Sequence, residues 1–246
     1  MKKIIFVVIA LLTFEVQAQT TLNDVTKDKV NMNSGGLDAS KSTVFWGAST
    51  SSGVKGQEYL DTLWNSGNIK LVNGIQQIGG TSVDTISGVL LRYNVFRNEV
   101  EVLANAEKKD VRTIPGNQLK SFSTKYDGKP ALFFNAQRLK TEKPLTGFYE
   151  VLAEGKLTLI KHFWVKTIKP SYNPAFSSGE KDTRINIEDD YYVISNNKAE
   201  KINPGKKSIA VLMKDREEYI GKYLKDSSLD YKNEGDLVQL FQYYNK

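Results

Sequence analysis

A chain of 246 residues in which 40% are apolar, 11% are aromatic and none is cysteine is long enough to bury a core and has to hold it without disulfides. A single histidine and no cysteine exclude multi-histidine metal sites, zinc clusters and cysteine nucleophiles. The formal charge of +6 rests on lysines dispersed among acids, with Lys108-Lys109 and Lys206-Lys207 only pairs, and no aromatic RNA-binding signature accompanies them, so a nucleic-acid partner is not expected.

Residues 1–18 read as a signal peptide: Lys2-Lys3 form a positive start, Ile4 to Leu12 an apolar run and Val16-Gln17-Ala18 a small-residue cleavage site. Nine apolar residues are too few to span a bilayer. The expectation is export with cleavage before Gln19 into the periplasm or beyond, without lipidation, because no cysteine is available to carry a lipid. Residues 19–57 are rich in Ser, Thr, Asn, Gly and Lys and predict a partly ordered arm, pinned at Phe45 and Trp46.

Residues 58–205 read as an antiparallel β-meander. Asn65-Ser66-Gly67-Asn68 is a turn cluster leading into a strand over 69–72. A long strand then runs from Val83 to Phe96 with Gly88 as a bulge or bend. Within it Val89, Leu91, Tyr93 and Val95 alternate with Leu90, Arg92, Asn94 and Phe96, and Arg97-Asn98 reads as a tight turn after which the return strand lays its valines beside Leu91 and Tyr93. Strands follow over 110–114, closed by Pro115-Gly116, and over 119–125. Asp127-Gly128 is a two-residue hairpin signal returning into 131–135. The next pair, 148–153 and 156–168, is joined through Glu154-Gly155. Its second strand is apolar on both faces, with Leu157, Leu159, Phe163 and Val165 on one and Ile160, His162 and Trp164 on the other, which makes it the expected centre of the fold. After the loop Pro170 to Gly179, strands resume over 183–187 and 191–195 and turn at Asn196-Asn197 into 199–202.

From residue 206 to 246 the period becomes helical. Ile209, Leu212, Met213, Ile220, Tyr223 and Leu224 fit one bent helix or two short ones, with Ser208 and Asp215 as caps. Asn233 to Asp236 caps a final helix whose stripe is Leu237, Leu240, Phe241 and Tyr244. The fold class is therefore α+β and β-dominated: one domain with a curved antiparallel meander, as half-barrel, barrel or sandwich, and C-terminal helices packed on it.

LRYNVFRNEVEVL at 91–103, FYEVLAEGKLTLIK at 148–161, YYVISNNKAEKI at 191–202 and QLFQYYN at 239–245, preceded by Gly56, Tyr59-Leu60 and Gly67, resemble a large group of exported, functionally uncharacterised bacterial proteins. The resemblance implies an export signal, a meander and a helical end. It carries no catalytic residue.

Chemistry is sparse. His162 lies among aromatic and apolar neighbours and no GxSxG elbow is present, which favours a packed, hydrogen-bonded histidine over a catalytic base. Glu180, Asp182, Glu188, Asp189 and Asp190 match no calcium loop and read as solvated loop. Glu150 and Glu154 are the carboxylates available to a glycan hydrolase. Tyr172 and Phe176, held by proline in a loop, are suited to contact a sugar face or apolar ligand; with Trp164 and His162 they form the set of candidate contacts. No phosphate loop or dinucleotide fingerprint appears and no cofactor is expected. Three functions follow in order: an exported non-enzymatic binding or accessory protein of the envelope holding an apolar ligand in its curved sheet, a carboxylate-dependent glycan or peptidoglycan hydrolase, and a structural envelope component bound to an envelope protein.

Overall fold

The computed structural model describes residues 47–48, 54–76, 80, 82–227 and 229–246. The signal peptide and the pinning residues Phe45 and Trp46 lie outside the described residues. Within them the strands are Gly47–Ala48 (β1), Lys55–Gly56 (β2), Asn65–Gln76 (β3), Ser82–Asn94 (β4), Glu99–Asn105 (β5), Asp110–Pro115 (β6), Leu119–Tyr126 (β7), Lys129–Asn135 (β8), Phe148–Ala153 (β9), Thr158–Ile168 (β10), Arg184–Ser195 (β11) and Lys198–Ile202 (β12). The helices are Lys206–Leu212 (α1), Glu217–Asp226 (α2) and Glu234–Tyr244 (α3). No described helix is long and apolar enough to cross a membrane.

Eleven strands form one open path in the order β1-β6-β5-β4-β3-β7-β8-β9-β10-β11-β12, and β2 pairs in parallel with β11. All other pairings are antiparallel. From β3 to β12 the meander is interrupted once, while the short β1 and β2 join at β6 and β11. β6 and β7 are linked by the three-residue turn Gly116–Gln118, yet β5, β4 and β3 lie between them in the sheet. Asn135 secures this link by donating from Nδ2 to the carbonyls of Gly116 and Leu119 at 2.9 and 3.0 Å.

The expected hairpins form where the turn chemistry is strongest. Leu91 pairs with Val102 and Tyr93 with Val100. The turn between them is longer than two residues: β4 ends at Asn94, whose side chain accepts from Arg97 N at 2.9 Å, and Asn98 takes φ 52°. Asp127-Gly128 and Asn196-Asn197 both have two consecutive positive φ values, 49° and 71°, then 50° and 64°, the backbone that matches strand twist in tight hairpins. Gly88, at φ 68°, is the extra residue of a bulge, because Gly67 pairs with Val89 and Asn68 with Ser87.

Three expectations are corrected. Asn65 to Asn68 is the start of β3 rather than a turn: a Cβ at Gly67 would overlap the Ser123 carbonyl oxygen of β7, so this glycine serves strand approach. Residues 184–195 make one strand instead of two, because continuous pairing with β10 carries the chain straight through Glu188-Asp189-Asp190. Ser208 and Asp215 are not caps. Gly205 precedes α1, Ser208 Oγ donates to the Asn203 carbonyl at 2.7 Å, and Asp215 sits in a 3-10 turn before α2. Asn233 does cap α3, accepting from Asp236 N at 3.1 Å.

Alternation divides the buried side chains by face. One apolar cluster gathers Ile69, Leu71, Val89, Leu91, Tyr93, Val100, Phe122, Phe133, Phe148 and Phe163 from β3 to β10. A second lies beneath the helices, where Ile209, Met213, Ile220, Leu237, Leu240, Phe241 and Tyr244 cover Leu157, Leu159, Val193 and Ile202. A smaller third, on the other side of β10, packs Ile160, Tyr149, Tyr192 and Ala199 beneath Ala136, Leu139 and Leu145.

Candidate functional site: a polar cleft between two cores

Leu159 belongs to the helix-covered cluster and Phe163 to the aromatic one, and both point to the same face of β10. Between them that face carries Lys161. In register beside Lys161 stand Glu150 on β9 and Tyr191 on β11, and Asp189 stands opposite Phe163. A polar belt therefore crosses the sheet where one apolar core gives way to the other.

The first turn of α3 closes over this belt. Lys161 Nζ donates to Glu234 Oε2 at 2.7 Å and Tyr191 Oη donates to the same oxygen at 2.8 Å. Burial alone would raise the Glu234 carboxyl, but these donors outweigh it and hold the group below its usual range. Tyr191 is pushed up by burial and by its bond to Glu234. Lys161 loses some affinity for its proton through burial and regains more from Glu234, ending above its usual value.

Glu150 is different. It makes no side-chain hydrogen bond or ion pair among the described residues. Burial, reinforced by the charge of Glu234, pushes its carboxyl up to about 7 against the weaker pull of Lys161 and Lys129. Asp189 is raised as well, chiefly by burial. Two carboxylates of one belt, Glu150 and Glu234, thus hold their protons with opposite tendencies.

The belt opens to solvent as a cleft of about 470 Å³. Glu150, Lys161 and Glu234 line its floor, the β7–β8 turn supplies Tyr126, Asp127 and Lys129, and Leu60, Asp61 and Leu63 form the opposite lip. That lip is a strap fixed from below. Leu60 N donates to the Tyr93 carbonyl at 3.0 Å. The Arg92 guanidinium lies 4.0 Å from the Tyr59 ring centre and 4.3 Å from that of Trp64, while Tyr59 Oη and Arg92 Nε both donate to the fully buried Glu101 at 2.8 and 2.7 Å. Asp61 folds the strap by accepting from Leu63 N and Asn65 Nδ2.

Of the carboxylates named from sequence, Glu150 lies in the cleft and Glu154 does not; the latter is exposed in the β9–β10 turn. Asp189 is not in a loop but on the cleft face of β11, and Asp190, on the opposite face, pairs with Lys201 at 2.7 Å. None of the four aromatic or imidazole candidates lines the cleft. His162 is buried on the other face of β10, with Nε2 donating to the Thr146 carbonyl at 2.7 Å, and burial lowers its affinity for a proton. Trp164 is partly exposed on that same face. Phe176 is 77% exposed, and Tyr172 lies beneath the Lys181 ammonium at 4.5 Å. Sequence reading missed Lys161, Tyr126, Tyr191 and Glu234. Lys161 had a signal: it is the charged residue in the otherwise apolar series Leu157, Leu159, Phe163, Val165. Among the described residues no three His, Asp or Glu side chains are placed to hold a metal ion. Compared with known protein families, curated proteins and solved structures, the chain matches none of them.

Proposed function

We propose that the protein is an exported, non-enzymatic binding or accessory protein of the cell envelope, and that its ligand sits in the cleft between the two cores. The observation that carries this reading is the contrast between two spaces. The cleft, at about 470 Å³, falls within the size range of small-ligand sites and presents the unpaired Glu150. Beside the aromatic core, the void bordered by Leu91, Phe122 and Phe133 is only about 10 Å³, the scale of one water. An apolar ligand held in the sheet would have to displace those side chains.

Export rests on residues 1–18 and on the resemblance to exported bacterial proteins. A half-barrel form of the sheet is supported by the β6–β7 link. Four Cα steps from Pro115 to Leu119 reach roughly 14 Å, whereas four strand spacings across a flat sheet measure about 19 Å. The test is native mass spectrometry of protein taken from its own envelope fraction, followed by binding assays at the cleft. A small polar molecule retained by the wild type and lost in Glu150→Gln is the expected result. A stoichiometric lipid, or no binding by any of a broad panel, would remove the reading.

One observation favours hydrolysis as a second reading: Glu150 holds its proton to about 7 while Glu234 is kept ionised, the split that a general acid and its partner carboxylate need. Turnover of a glycan or peptidoglycan substrate, abolished in a folded Glu150→Gln variant, is its requirement. Absence of turnover across such substrates leaves binding alone.

A further inference from the structure

The chemistry of the cleft defines the class of molecule it would take, an inference that rests on the cleft being the binding site. Lys161, Tyr191 and Glu234 satisfy one another on a single carboxylate oxygen. Glu150, directly in register with Lys161, receives none of those donors. A half-buried carboxylate gains from a charge-assisted donor, and no side chain among the described residues donates to this one. Tyr126 adds a ring at the wall, held edge-on against Phe133 and Phe163. The face of an aromatic ring attracts a cation. Asp61 and Asp127 place further carboxylates on the lining, whereas the lysine of the floor is already engaged and Lys129 alone faces the other way in sign. The lip offers hydrocarbon through Leu60 and through Leu63, which is 66% exposed.

We propose that the cleft binds a small organic amine with an apolar body, its ammonium seated between the Glu150 carboxylate and the Tyr126 ring and its hydrocarbon against Leu60 and Leu63. An anion of equal size meets Glu150, Asp61 and Asp127. A neutral isostere fits the volume but leaves Glu150 without a donor.

Three probes of similar shape separate these cases: phenethylamine, 2-phenylethanol and phenylacetate, titrated into the protein at pH 8 with backbone amide resonances followed by NMR. Phenethylamine is expected to shift the amides of residues 126–129, 150 and 161 and to bind at least tenfold more tightly than either counterpart. Glu150→Gln should abolish that preference, and Glu154→Gln, outside the cleft, should preserve it. Asp127→Asn supplies a second variant at an exposed turn and should weaken the amine severalfold while leaving 2-phenylethanol unchanged. Equal affinity for the alcohol or the carboxylate at these amides overturns the amine assignment and leaves the cleft as a binding site. No shift at these amides from any probe overturns both.

Discussion

Lys161 on β10 and Glu234 at the start of α3 meet at 2.7 Å although 73 positions separate them in the chain. Their contact is the polar seam between the aromatic core and the helix-covered core, and it fixes the entry of the last helix onto the sheet. The two partners differ in burial: the Lys161 side chain is 13% exposed and that of Glu234 is 41% exposed. Removing the carboxylate strands the more deeply placed charge, so Glu234→Ala should destabilise by about 2 kcal/mol, a figure reduced from the buried-pair range because Glu234 is partly solvated. Lys161→Met should cost less, because methionine places an apolar chain of similar length on the face that Leu159 and Phe163 share and leaves no buried charge. Urea unfolding of the two variants at pH 7 measures the difference. Equal costs would mean that burial of Lys161 is not what the pair offsets.

A stronger coupling is expected at the strap. Arg92 lies over the Tyr59 and Trp64 rings and is bonded to Glu101, whose side chain is fully buried. Arg92→Ala removes the guanidinium from a carboxylate that water does not reach and should cost about 3–5 kcal/mol. Arg92→Lys keeps a charge but loses the guanidinium contacts with the two rings and the Nε donor, and should fall between wild type and alanine. Tyr59→Phe, losing the hydroxyl that donates to Glu101 and accepts from Arg92 Nη2, should cost about 1–2 kcal/mol. Thermal or urea denaturation ranks the three. If Arg92→Lys matches wild type, the ring contacts contribute nothing.

Period-two alternation and turn residues made much of the sheet legible: the returning valines do lie beside Leu91 and Tyr93 and Gly88 does form the bulge, but a two-residue turn at Arg97-Asn98 would set Val102 against Tyr93, where the longer connection places Val100. Local signals failed where a distant partner decides. Gly67 resembles a turn residue until β7 is laid against it. Glu188-Asp189-Asp190 looks like a solvated break until eleven residues of β10 pair with β11 through it. The strand order, with β7 joining β3 instead of β6, is likewise a long-range choice that no turn encodes. The cleft was half legible. Glu150 and the anomalous Lys161 are strand residues whose faces alternation assigns, whereas Glu234 reaches Lys161 from a helix 73 residues later.

Gly67 and Gly88, on adjacent strands β3 and β4, should respond to alanine to very different degrees according to what surrounds them. Around Gly88 nothing lies within 4 Å of an added Cβ, and only its φ of 68° resists substitution, so Gly88→Ala should cost about 1 kcal/mol. At Gly67 the Ser123 carbonyl occupies the methyl position itself. Separation of β3 from β7 would be required, and Gly67→Ala should prevent folding or lower Tm by far more than Gly88→Ala. Circular dichroism melts of the pair decide it; similar melting temperatures would place β3 and β7 farther apart than described here.

The raised carboxyl of Glu150 makes a signed prediction about pH. Its folded value of about 7 lies above the ordinary 4.5, so between those values the folded state holds a proton that the unfolded chain has released, and stability falls as pH rises through this window. Glu234, Lys161, Lys129, Asp127 and Asp189 also titrate or carry charge around it, and Glu234 works in the opposite sense, losing stability as pH falls because its own carboxyl is depressed. Comparing wild type with Glu150→Gln cancels those neighbours to first order. Glutamine resembles the protonated acid, so the variant should match wild type near pH 5 and exceed it above pH 7 by about 1–2 kcal/mol, the linkage value reduced for partial exposure. Urea midpoints measured for both proteins from pH 5 to pH 8 give the difference curve. A flat curve would mean that Glu150 is solvated like a surface carboxylate, and the cleft would then lack the desolvated group on which its proposed recognition of an amine depends.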